Sequence, residues 1–142
     1  MDTSRARDLF GTARVARLAT VGATGAPHLV PVTFDVDGDT VAFAIDHKPK
    51  RTTDLRRLRN IAADDRVCLL ADHYEDDWTR LWWVRADGRA RIVEDGRERE
   101  RALARLAGRY AQYRERPPHG PVVLVGVEAW TGWAFADSPG GG

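Results

Sequence analysis

Both lysines of this 142-residue chain fall in one five-residue stretch, His47-Lys48-Pro49-Lys50-Arg51, although the chain carries 20 arginines. Thr52 and Thr53 follow at once, then Asp54-Leu55-Arg56-Arg57-Leu58-Arg59-Asn60-Ile61, which reads as a helix opened by hydroxyl and acidic caps. A basic loop that runs into a helix start suits an anion, because free backbone N–H groups and the helix dipole favour negative charge there. The chemistry these residues fit is the grip on a cofactor phosphate. Of the two lysines, Lys48, which precedes Pro49 and lies further from the helix start, is the weaker candidate. The alternative is an ordinary solvated loop and basic surface helix. A nucleic-acid patch is disfavoured by Asp54, Asp64 and Asp65 close by and by a net charge of only +1.

Other chemistries find little support. No serine sits in a Gly-x-Ser-x-Gly elbow, and the four histidines, His28, His47, His73 and His119, match no zinc or haem spacing. The acidic stretch from Asp72 to Asp77 has neither a calcium-loop nor a zinc pattern and reads as a solvated loop. Cys68, the single cysteine, lies in the apolar run Val67-Cys68-Leu69-Leu70, so it reads as part of a buried strand rather than as a catalytic thiol. The five tryptophans are core residues by default, with one or two expected to touch ligand.

The elements that must position the basic stretch read as follows. A short amphipathic helix runs from a cap at Thr3 or Ser4 to Ala13, followed by a strand over Val15 to Val21 and a turn at Gly22-Ala23-Thr24-Gly25. The returning strand spans Pro27 to Val36, and its two prolines place it at an edge, a bulge or an interruption. Asp37-Gly38-Asp39 turns the chain into a third strand, Thr40 to Ile45, to complete a three-stranded meander. After the basic loop and its helix come a strand over Arg66 to Ala71 and a polar loop. A long strand or bent hairpin over Leu81 to Val93 follows, with Asp87-Gly88 as a turn or bulge. Asp95-Gly96-Arg97-Glu98 resembles a capping box for a helix in which Leu103, Leu106, Tyr110 and Tyr113 form one apolar stripe. Pro117-Pro118 ends it, and a final strand runs from Val122 through Trp130 to Phe135.

Six or seven strands without regular strand–helix alternation point to the α+β class, mainly antiparallel, as a barrel or sandwich. No strand leads into a Gly-x-Gly-x-x-Gly turn, which disfavours a Rossmann fold. Residues 1–136 are expected to form one domain and 137–142 a disordered tail. With 43% hydrophobic residues, no run long enough for a membrane helix and no signal-peptide core at Met1 to Arg7, a cytoplasmic globular protein is expected.

Three blocks, ARVARLATVGATGAPHLVPVTFDVDG at 13–38, IDHKPKRTTDLRRLRNIAADDRVCLLAD at 45–72 and WWVRADGRARIVED at 82–95, resemble in order and spacing the pyridoxamine 5'-phosphate oxidase-like split β-barrel family. Within it the chain looks like the actinobacterial branch that uses the deazaflavin coenzyme F420. The resemblance implies a six- to seven-stranded split barrel with flanking helices, a homodimer, and a cofactor at the subunit interface, F420 or alternatively FMN. It further implies an oxidoreductase that moves a hydride between the deazaflavin and a small organic substrate. A non-catalytic flavin, deazaflavin or haem binding protein is the other reading of the same barrel.

Carried over residue by residue, the backbone of Val30, Pro31, Val32 and Thr33 would meet the polar edge of the ring. Lys48, Lys50, Arg51, Thr52 and Thr53 would hold the phosphate, and Arg56, Arg57 and Arg59 would reach the polyglutamate tail. Of Trp82 and Trp83, on opposite faces of a strand, one would fill the core and the other line a groove. Trp130 and Trp133 would cover the ring or substrate pocket. The family's C-terminal arginine and histidine pair for pyridoxamine phosphate is replaced by Trp130-Thr131-Gly132-Trp133-Ala134-Phe135, which argues against vitamin B6 oxidation.

Overall fold

The computed structural model describes residues 1–45 and 52–137, with Thr52 to Leu55 described as backbone only. The expectations for Lys48, Lys50, Arg51 and residues 138–142 lie outside the described residues, whereas Asp137, expected in the disordered tail, ends a 3-10 turn over Phe135–Asp137 and accepts from Arg5 Nε at 2.7 Å. Seven strands form one antiparallel sheet. They are β1 (Ala16–Val21), β2 (Pro27–Val32), β3 (Asp35–Asp37), β4 (Thr40–Ala44), β5 (Arg66–His73), β6 (Trp82–Val93) and β7 (Val122–Ala134), with spatial order β2-β1-β5-β6-β7-β4-β3. The two edge strands of that order, β2 and β3, are consecutive in the chain and separated only by Thr33 and Phe34. Such a sheet has to curl until its edges meet, and it closes through two residues of covalent chain rather than through a ladder of hydrogen bonds. The result is an α+β split barrel.

Alternation along the strands builds the interior. Leu18, Val41, Phe43, Leu69, Val84 and Val125 are fully or almost fully buried within it. Helix α1 (Thr3–Thr12) is capped by Asp2, whose carboxylate accepts from Arg5 N, one or two residues before the expected cap. The α1 residue Phe10 packs into this core, its ring centroid 4.8 Å from that of Phe34 and 5.4 Å from that of Trp130. Helix α2 (Thr52–Ala63) lies over β1 and β6, and its Asn60 donates from Nδ2 to Thr20 Oγ1 at 3.0 Å. Helix α3 (Arg97–Arg109) sits outside β3 and β4, held by Arg101 on Asp37 at 2.8 Å and Arg105 on Asp35 at 2.6 Å.

Four sequence expectations change. The stretch from Pro27 to Val36 is not one strand: it breaks at Thr33-Phe34, where the barrel closes. No three-stranded meander forms, because β2 pairs with β1 while β4 pairs with β3 and β7. The C-terminal helix stops at Tyr110, which is extended at φ −124° and ψ 121°, and a short α4 (Ala111–Glu115) follows. The break arises because the Tyr110 hydroxyl is engaged elsewhere: it accepts from Phe34 N at 3.2 Å and lies 2.9 Å from the carbonyl oxygen of Arg14. Finally, Asp95 to Glu98 makes no capping box. Gly96 is the cap without a side-chain bond, and Glu98 instead pairs with Arg91 on β6.

Asp87-Gly88 proves to be a bulge in the β6–β7 ladder. A Cβ at Gly88 would stand 2.2 Å from the carbonyl oxygen of Gly126, so only glycine allows β7 to approach this closely. Gly38, at φ 62°, provides the turn between β3 and β4.

Candidate functional site

Strand β2 has a single partner strand among the described residues, so its other side offers unpaired backbone groups, and Pro27 and Pro31 are tolerated there for that reason. Its side chains alternate. His28, Val30 and Val32 turn toward the barrel, where Val30 packs on the core and Val32 is buried; Leu29 and Pro31 turn outward, with Leu29 67% exposed. The Val30 and Val32 side chains are thus structural, and any ligand contact from them is made by backbone. Thr33 follows on the outward alternation, half-buried, with Oγ1 2.7 Å from Tyr113 Oη.

Helix α2 brings cations to the His28 end of β2. Thr52 and Thr53 form its first turn. Arg56 and Arg59 are exposed, but Arg57 is buried, its guanidinium carbon 5.8 Å from the Phe43 ring centroid. Of the three arginines expected to reach outward, Arg57 therefore turns in. Across from His28 on β1 stands Thr20, the residue that Asn60 of α2 binds. The Nδ1 atom of His28 is sealed from solvent without a hydrogen-bond partner. Burial, then the charges of Arg56 and Arg57, push the His28 imidazole below its ordinary pKa. Arg56, exposed on α2 close enough to act on His28, keeps that end of the strand positive, which suits an anion. The residues present fit an anionic group.

The sequence offered His28 only as one of four scattered histidines without metal spacing, and Tyr113 only as one member of an apolar helix stripe. The Pro27-His28 pair, a polar residue on the inward side of a proline-bounded strand, was the available signal.

The outer face of β2, β1, β5 and β6 forms a shallow groove of about 480 Å³ lined by Arg17, Leu29, Cys68, Leu70, Trp83 and Arg85 among others. Trp83 is exposed there beside its register partner Trp133, while Trp82 packs partly against the core, as opposite faces of one strand require. Cys68 lines this groove half-buried, and burial, then Asp87, push its thiol up from the ordinary value, away from nucleophilic character. Trp130 is not part of a pocket cover. It is 9% exposed, packs on Phe10 and donates from Nε1 to Asp39 at 3.0 Å. In the acidic loop His73 and Arg80 both bind Glu75, and among the described residues no group of three acidic, histidine or cysteine side chains could hold a metal.

The fold has counterparts among known proteins. Over 56 residues the chain is 43% identical to the 5a,11a-dehydrotetracycline/5a,11a-dehydrooxytetracycline reductase of Streptomyces rimosus, a stretch covering 39% of this chain and 38% of that enzyme. The match thus spans well under half the length of the relative. A conserved hypothetical protein of Mycobacterium tuberculosis superposes with a TM-score of 0.72 at 23% identity, covering 94% of this chain and 85% of the other. A FAD-binding protein of Mesorhizobium loti gives 0.73 at 18% identity, with 93% and 94% covered. At these identities the two structures speak to the fold. The profile of the pyridoxamine 5'-phosphate oxidase family, however, takes in residues 3–134, from the first turn of α1 to the last residue of β7, and the chain belongs to that family.

Proposed function

We propose that the protein is an oxidoreductase that binds coenzyme F420 and acts on a small organic molecule, with FMN as the alternative cofactor. The observation that carries the reading is an edge strand with unpaired backbone, a place for a ring, near a helix that presents the exposed cations Arg56 and Arg59. When bound, the tricyclic ring supplies the hydride chemistry. The chain's task is to bind and orient. The outward backbone of Val30 to Thr33 meets the polar edge of the ring, and Lys50, Arg51, Thr52 and Thr53 hold the phosphate. Arg56 and Arg59, both exposed, reach for an anionic tail, which FMN lacks. Trp83 lines the groove on the outer sheet face.

A second copy of the chain completes that groove. Leu29, Leu70, Trp83 and Trp133, on β2, β5, β6 and β7, leave 67%, 40%, 36% and 39% of their surface exposed, an apolar face of the kind that homodimers bury. The Streptomyces reductase supports catalysis rather than binding alone. The second reading, a carrier without turnover, is the non-catalytic use of the same barrel. Anaerobic mixing of reduced cofactor with compounds bearing an electron-poor double bond separates the two. An enzyme accelerates cofactor oxidation with at least one acceptor; a carrier leaves the rate at that of free cofactor with all of them. Vitamin B6 is not the expected substrate, because β7 carries tryptophan, glycine and alanine where an arginine and histidine pair would be needed.

A further inference from the structure

The short helix α4 exists because the chain is extended at Tyr110, and the break has a consequence at the barrel's closure. Tyr110 clasps Phe34 through both backbone groups, with its Oη 3.2 Å from the nitrogen and 3.1 Å from the oxygen. The Tyr113 ring stands edge-on to that of Tyr110, with centroids 5.8 Å apart, and its hydroxyl lies 2.7 Å from Thr33 Oγ1. Two tyrosines from one helix break thus grip the two residues that join β2 to β3. Thr33 cannot turn away, because Phe34 beside it is buried and clasped.

One hydrogen bond between two hydroxyls uses one proton. A phenol is the better donor and an aliphatic hydroxyl the better acceptor, so Tyr113 donates and Thr33 accepts. The proton of Thr33 is then left over, and no second partner for it exists among the described residues. Thr33 is half-buried on the outward alternation of Leu29 and Pro31, where the proposed ring edge would lie.

We infer that Tyr113 is a positioning residue that sets Thr33 as a hydrogen-bond donor to an acceptor, a carbonyl oxygen or ring nitrogen, on the polar edge of the bound ring. The inference rests on the proposed cofactor reading. Because flavin and deazaflavin share the carbonyl-bearing edge, the donor serves either and does not choose between them.

The test is equilibrium titration of the full chain with FMN and with F420, comparing Thr33→Ser, Thr33→Val, Tyr113→Phe and the double variant Thr33→Val/Tyr113→Phe. Thr33→Ser keeps the donor and should bind within about twofold of the unaltered protein, while Thr33→Val should bind about tenfold more weakly. Tyr113→Phe should weaken binding by about threefold to tenfold, and the double variant should bind no more weakly than Thr33→Val, since Tyr113 has nothing left to set. The absorption maximum of bound FMN should shift in the same direction in Thr33→Val and Tyr113→Phe. A merely structural tyrosine would move the melting temperature but would produce neither the serine rescue nor the non-additive affinities. Unaltered affinity in Thr33→Val or in Tyr113→Phe, or losses that multiply in the double variant, would overturn the inference while leaving the cofactor reading intact. Failure of the unaltered protein to bind either cofactor would overturn both.

Discussion

His28 shows how much of this site depends on surroundings that a single residue cannot announce. Its imidazole is held below the ordinary pKa of 6.5 by burial and by Arg56 and Arg57, so just below that pH the unfolded chain binds protons the folded chain refuses. Stability should therefore fall as pH drops through about 6.5, and His28→Gln should flatten that slope in urea titrations at pH 5 to 7. An unchanged slope would remove His28 from the anion site. The basic stretch is a different case, legible directly because charge is written in the residue types. Replacing Lys50 and Arg51 together with alanine should weaken cofactor binding at least tenfold, since each charged hydrogen bond contributes about 1.5–3 kcal/mol. Affinity equal to the unaltered protein would make the stretch an ordinary surface. His28 gave no such notice. The groups that give it meaning, Thr20, Arg57 and Asn60, come from β1 and α2, and only the fold places them together.

At the level of elements, period-two alternation and turn residues located nearly every strand, because those signals are local. Two of the four misread places are tertiary. The break in Pro27 to Val36 and the break at Tyr110 are one event seen from two sides, since Tyr110 engages Phe34 in the gap between β2 and β3. No local propensity encodes that bond; Leu103, Leu106, Tyr110 and Tyr113 keep helical spacing through the break. The bulge at Asp87-Gly88 was half legible, as turn or bulge, and the backbone of β7 decides it. Gly88→Ala should destabilise the fold by about 3 kcal/mol, because its Cβ would meet the Gly126 carbonyl at 2.2 Å in a paired strand that cannot give way. Chemical denaturation measures this, and a loss below about 1 kcal/mol would show that the ladder there is pliable.

For the whole molecule, strand order turns a list of strands into a barrel with a seam, and the seam, the anion site and the exposed sheet face all involve β2. Pairing partners across the sheet were not readable from the sequence, which is why a meander was expected where β4 in fact joins β7. The outer face predicts assembly: Trp83→Glu should convert a dimer to a monomer in sedimentation velocity, with the melting temperature shifted only modestly, and a dimer that persists would place the interface elsewhere. Trp82 and Trp83 on β6 and Trp133 beside them also make the protein its own reporter. The most direct measurement of the central claim is therefore a titration with F420 and with FMN, followed by tryptophan fluorescence. Saturable quenching by at least one cofactor, tighter for F420 and lost in Lys50→Ala/Arg51→Ala, is the predicted result. Fluorescence that does not saturate with either cofactor would contradict the account.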